Sequence, residues 1–154
     1  MSIRLVPGVF LALALLHHSA LANHGDLLVS SRFSNNVLRY DRLTGAFRGV
    51  FASGNGLANP NGIAYGPDGH LYVGLGDTGR IMKFHGRTGA YLSDFVNTAE
   101  AGFSGSRAIA FGPDGHLYVA GANINSVLRF DGATGAFKDV FASGNGMSGT
   151  VGLT

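Results

Sequence analysis

The sequence predicts an all-β fold of short antiparallel strands in repeated four-stranded units, and three observations carry that prediction. The chain repeats itself at intervals of 44 to 46 residues. Each interval holds four short apolar runs separated by turn signals. The composition also suits turn-dense sheet: apolar residues make up 45 %, charged residues 13 %, and 25 of the 154 residues are glycine. That is too apolar for a disordered chain and too Gly-rich for a helical bundle. Helix formers are few, with Glu100 the single glutamate and Lys83 and Lys138 the only lysines.

The repeat is close. Tyr65 to Val73 (YGPDGHLYV) returns as Phe111 to Val119 (FGPDGHLYV), 46 positions on, with eight of nine residues the same. Val37 to Gly56 (VLRYDRLTGAFRGVFASGNG) returns 90 positions on as Val127 to Gly146, with fifteen of twenty kept. A middle copy, Ile81 to Phe84 followed by Thr88-Gly89-Ala90-Tyr91, lies 44 after the first and 46 before the third.

In the second copy the four runs are Gly62 to Gly66, His70 to Gly74, Arg80 to His85 and Ala90 to Val96. Pro67-Asp68-Gly69 joins the first two as a hairpin turn. Proline presets φ, aspartate bonds its own backbone, and glycine accepts the left-handed position that closes such loops. Thr44-Gly45, Thr88-Gly89 and Thr134-Gly135 supply the turn between the third and fourth runs, with Asp41 and Asp131 ahead of it as turn formers and His85 in their place in the middle copy. The first run alternates small residues (Gly62 and Ala64, Ala108 and Ala110) with Ile63 and Tyr65 or Ile109 and Phe111, which suits strands crowded round an axis. The second run, Leu71-Tyr72-Val73, is apolar at successive positions, as in a sheet covered on both faces. Four antiparallel strands per period of about 40–45 residues predict blades of a β-propeller, ahead of a solenoid.

Residues 1–22 read as a secretory leader. Arg4 gives a positive start, Val9 to Leu16 an apolar centre, and Ala20-Leu21-Ala22 a small-residue cleavage site. A spanning helix needs roughly 20 apolar residues, and this run ends at His17-His18. The expectation is cleavage between Ala22 and Asn23, leaving a secreted or periplasmic chain with no membrane span. The formal charge of +2 falls to about +1 without Arg4, ten Lys and Arg against nine Asp and Glu. Such a balance gives no strong field and argues against nucleic-acid binding. With no cysteine, disulfides, thiolate metal sites and cysteine nucleophiles are excluded.

The pattern NGIAYGPDGHLYV, GRIMKF, TGAYLSDF resembles the NHL-type repeat of six-bladed and related propellers over residues 25–154. It is most similar to bacterial exported NHL-propeller proteins. Many of those end in a Pro-Glu-Pro sorting tail, which is absent from these residues. Tryptophan, the mark of WD-type repeats, is absent too.

Aligning the copies places blade strands over 25–56, 61–96 and 107–142. Gly25 to Val29 enters at a second strand, and 147–154 begins a further blade at the level of its first. About three blades are therefore expected, as a truncated fragment of a propeller or as half of a six-bladed ring completed by a homodimer.

Propeller sites usually lie on the face formed by the second-to-third-strand loops and the blade connections. There Asn36, Asp77 and Asn125 fall at or near equivalent places and are the candidate ligand-binding residues. Glu100 joins them from the longer connection, and Arg107 opens an inner strand where Asn61 stands in the other copy. His70 and His116, which follow the Pro-Asp-Gly turns on the opposite face, are read as structural. No catalytic residue is assigned. The expected function is an exported, non-enzymatic binding module for an unidentified protein or carbohydrate ligand, without cofactor. The alternative is a propeller hydrolase or lyase, similar to gluconolactonases or streptogramin-type lyases. For that reading the resemblance implies a divalent metal (calcium, magnesium or zinc) at the axial mouth.

Overall fold

The structure, a computed structural model, describes residues 25–97, 103, 105–121 and 124–154; the expected leader, its cleavage point at Ala22 and Asn23, and Glu100 lie outside the described residues. Among the described residues there are eleven strands: β1 (Leu27–Ser31), β2 (Asn36–Tyr40), β3 (Phe47–Ser53), β4 (Pro60–Tyr65), β5 (Leu71–Leu75), β6 (Ile81–Phe84), β7 (Tyr91–Val96), β8 (Ser106–Phe111), β9 (Leu117–Gly121), β10 (Ser126–Phe130) and β11 (Phe137–Ser143). They form three antiparallel sheets in sequence order. The first is three-stranded, β1-β2-β3; the second, β4 to β7, and the third, β8 to β11, have four strands each. Among the described residues no helix is long and apolar enough to cross a membrane.

The local chemistry that sets the strands is repeated sheet by sheet. In the β4–β5 hairpin Gly69 takes φ +75°, its N–H reaches the Gly66 carbonyl at 3.0 Å, and the Asp68 side chain accepts from the His70 N–H at 3.0 Å. The β8–β9 hairpin repeats this at Gly115, Asp114 and His116. In the turn between β2 and β3, Asp41 Oδ1 accepts from the Leu43 and Thr44 N–H groups at 2.9 and 2.8 Å and from the Thr44 hydroxyl at 2.9 Å. Asp131 does the same with Ala133 and Thr134. His85 supplies its Nδ1 instead, accepting from Arg87 and Thr88 at 3.3 Å.

Each third-to-fourth-strand pairing also carries two register shifts at matching places: Val37/Leu38 and Arg39/Tyr40, Ile81/Met82 and Lys83/Phe84, Val127/Leu128 and Arg129/Phe130. Such bulges increase the local twist of the fourth strand. An aromatic pair bridges the same two strands every time, Tyr40 with Phe47, Phe84 with Tyr91 and Phe130 with Phe137, at centroid distances of 5.4, 5.9 and 5.6 Å.

The core lies between sheets. One cluster packs Val37 and Ala52 of the first sheet against Leu71, Val73, Leu75, Met82 and Phe84 of the second. The other packs Tyr72, Ile81 and Val96 of the second against Ile109, Leu117, Val119, Leu128 and Phe130 of the third. The second sheet is thus covered on both faces, and every residue of β5 is buried. The inner strands approach so closely that a Cβ on Gly62 would lie 2.8 Å from the Ala108 Cα, which explains the small residues at these positions. Residues 147–154, expected to begin a further blade, carry no strand.

Candidate ligand site at the loop mouth

The loops after β1 and β5 and the connection from β3 to β4 meet at one end of the sheets. Asp77, in the loop after β5, accepts from the Asn59 side-chain amide and, at 3.4 Å, from the Arg32 guanidinium of the loop after β1. The connection is held from beneath: Gly76 donates its N–H to the Asn59 carbonyl at 2.8 Å, and the Asn59 N–H reaches Asn35 Oδ1 at 2.9 Å. Asn35 and Asn59 take positive φ, +54° and +47°, a region that asparagine tolerates better than most residues.

The expected site residues occupy this end in different ways. Asn36 is the first residue of β2, half-buried, and its Oδ1 accepts from the Ser34 hydroxyl at 3.0 Å. Asp77 is exposed and held by Asn59 and Arg32. Asn125 has φ +44°, and its Oδ1 accepts from the Gly149 N–H at 2.9 Å. It matches Asn35 at the offset of 90, one position before Asn36. Arg107 stands exposed on β8. The structure brings Asp77 together with Asn59 and Arg32, and it places Asn125 in the matching loop of the third sheet.

Two residues of this end escaped the sequence reading. Asn59 was hidden because its partners lie 18 and 24 positions away. Phe33 falls at the position matching Asp77, so the alignment held the signal. Its ring is 93 % exposed, with the Arg32 guanidinium 5.8 Å from its centroid.

At the opposite end a cleft of about 800 Å³ opens between the first and second sheets, lined by Asp26, Arg39, Arg42, Arg48, His70 and His85 among others. Its charges are largely paired. Arg48 bridges Asp41 and Asp26, and Arg39 lies 3.4 Å from Asp26. The N–H groups of the turn and the Arg48 guanidinium hold the Asp41 carboxyl well below the ordinary carboxylate range. The His70 and His85 rings stand 5.4 Å apart. Among the described residues no three of His, Cys, Asp and Glu come together as a metal-binding group.

No family profile matches the chain, and no curated protein does. Solved structures do match. Selenomethionine-substituted virginiamycin B lyase from Staphylococcus aureus is 21 % identical, with a TM-score of 0.64 over 83 % of this chain and 41 % of that one. A catalytically inactive form of the lyase with quinupristin is 20 % identical, with a TM-score of 0.60 over 81 % of this chain and 40 % of that one. Hydrazine synthase from Kuenenia stuttgartiensis is 20 % identical, with a TM-score of 0.59 over 73 % of this chain and 31 % of that one. This chain therefore spans about two fifths or less of the length of these proteins. Taken with three antiparallel sheets packed face to face, the likeness decides the architecture. The fold is that of a β-propeller. Its three described sheets are blades, and β4 and β8 are their closely packed inner strands. At these identities the likeness establishes fold and nothing of activity.

Proposed function

We propose that this chain is an exported interaction module of the NHL-repeat kind, binding a carbohydrate or protein ligand at its loop mouth without transforming it. The observation that carries this reading is the exposed Phe33 ring beside Arg32, next to polar groups already engaged with one another. An aromatic face with a neighbouring guanidinium offers stacking and hydrogen bonds to a ligand surface. Asp77, by contrast, is occupied by Asn59 and Arg32, an arrangement suited to shaping a surface and not to moving a proton. The close repetition of GPDGHLYV supports the NHL assignment, and the zoned first 22 residues support export.

The test uses the full chain expressed with its own leader in a bacterial host. N-terminal sequencing of the exported product is expected to begin at Asn23. A panel of soluble oligosaccharides is then titrated against it. Saturable binding that Phe33→Ala weakens about tenfold, roughly the worth of one stacking contact of 1.4 kcal/mol, supports the reading. The enzymatic alternative has its own test, with the compound named with one of the solved neighbours as the probe. Conversion of quinupristin in the presence of magnesium, followed by mass spectrometry and lost in Asp77→Ala, would replace binding with catalysis.

A further inference from the structure

The copies of this repeat are so alike that the places where one departs from the others carry information. In the turn between the third and fourth strands of a blade, the copies read Asp41-Arg42-Leu43, His85-Gly86-Arg87 and Asp131-Gly132-Ala133. Three residues break the pattern. Arg42 stands where the other copies have glycine, Arg87 where they have leucine or alanine, and His85 where they have aspartate. Each departure adds a positive charge or removes a negative one.

The fold brings all three together. Arg42 of the first blade and His85 and Arg87 of the second line one cleft, with His70 beside them. The groove at the next junction is lined by Pro67, Asp68, Gly115, Gly132 and Ala133, with no cation among them. Contacts from the middle of the chain fix the shape of the first cleft. A Cβ on Gly89 would lie 1.7 Å from the Phe51 carbonyl oxygen, and one on Gly86 would lie 1.8 Å from that of Gly69. The turn that carries His85 and Arg87 is therefore seated on β3 of the first blade and on the Gly-Pro-Asp-Gly hairpin of its own.

The carboxylates of the cleft are already engaged. Asp26 lies 3.4 Å from both Arg39 and Arg48, Arg48 also bridges Asp41, and Lys83 holds Asp68 at 2.7 Å. The guanidiniums of Arg42 and Arg87 have no ion pair or hydrogen bond among the described residues, and both side chains are exposed. Two uncompensated cations on one cleft repel each other and attract an anion, and the planar guanidinium fork matches carboxylate and phosphate oxygens.

The imidazoles add neutral donors. His85 Nδ1 accepts from the Arg87 and Thr88 N–H groups at 3.3 Å, and His70 Nδ1 accepts from the Gly86 N–H at 3.4 Å. A ring nitrogen that accepts carries no hydrogen, so each neutral ring holds its N–H at Nε2. Tyr65 and Leu43, 52 % and 79 % exposed, give the same cleft an apolar wall.

We propose that the cleft between the first and second blades binds an oxyanion, a carboxylate or a phosphate, between Arg42 and Arg87, with the Nε2–H groups of His70 and His85 as further donors. The wall of Tyr65 and Leu43 suits an oxyanion carried on a small organic body. The site lies at the end opposite the loop mouth and does not rest on the function proposed there.

The test titrates the full chain at fixed pH and ionic strength with sodium phosphate, D-galacturonate and D-galactose 6-phosphate, with neutral D-galactose as the control. Nuclear magnetic resonance follows the imidazole protons. The His70 and His85 resonances are expected to move saturably with the charged probes and not with galactose. His116, the counterpart of His70 in the third blade, is expected to stay unmoved. Tighter binding of galacturonate or galactose 6-phosphate than of phosphate identifies an organic oxyanion, and equal binding identifies the free ion. Arg42→Gly and Arg87→Ala install the residues that the third blade carries at these positions, so both are expected to keep the circular dichroism of a β protein. Each is expected to weaken binding about tenfold, as for the loss of one charge-assisted hydrogen bond. The proposal is overturned by His70 and His85 resonances that do not move, by equal movement with galactose or at His116, or by an affinity indifferent to both arginine variants. A ligand held at the loop mouth leaves these two rings unmoved, so the outcome is read apart from that of the proposed function.

Discussion

The carboxylate of the Gly-Pro-Asp-Gly turn shows how much one residue does in this repeat. Burial alone would raise the Asp68 pKa. The Lys83 ammonium at 2.7 Å, the His70 N–H and the Tyr72 hydroxyl outweigh that and bring it down to about 2. The unfolded value is about 3.9, so the folded state favours the ionised form. The stabilisation is in full force above the unfolded pKa and is lost as pH falls through the folded one. Urea midpoints measured from pH 5 to pH 2 should therefore decline, and Asp68→Asn should flatten that decline while lowering the midpoint at neutral pH. The turn chemistry was legible in the sequence because it is local, each aspartate bonding to groups two or three residues on. The bonds of Asn35 and Asn59 were not, since they join loops from different blades. The two glycines that precede strands β3 and β7 give a second test. Gly45 and Gly89 share φ +72°, but only Gly89 would drive a Cβ into the Phe51 carbonyl. Gly45→Ala should cost about 1–2 kcal/mol for the left-handed backbone alone. Gly89→Ala should cost distinctly more, as read from the same urea curves.

At the scale of the strand, burial is decided by which blade a residue belongs to more than by what it is. Tyr40, Phe84 and Phe130 occupy one repeat position and make the same aromatic contact to the following strand. Phe84 and Phe130 are fully buried, while Tyr40, on the open face of the first blade, is only half-buried. Phe84→Ala should cost about 3–5 kcal/mol, the usual penalty for emptying a packed aromatic site. Tyr40→Ala should cost well under half of that, and thermal unfolding of the two variants checks the contrast. The sequence made the strands readable because their apolar runs and turns recur with little change. It could not rank copies of one position, because nothing in near-identical residues says which copy has neighbours on both sides.

For the whole molecule, this ranking becomes a gradient of stability along the stack. Repeat architectures gain their stability from interfaces between neighbours, and among the described residues the second blade packs against both others, whereas the first and third each pack against one. Amide exchange follows local opening, so in dilute solution peptides covering β5 and β6 should exchange slowest. Those covering β1 and β11 should exchange fastest.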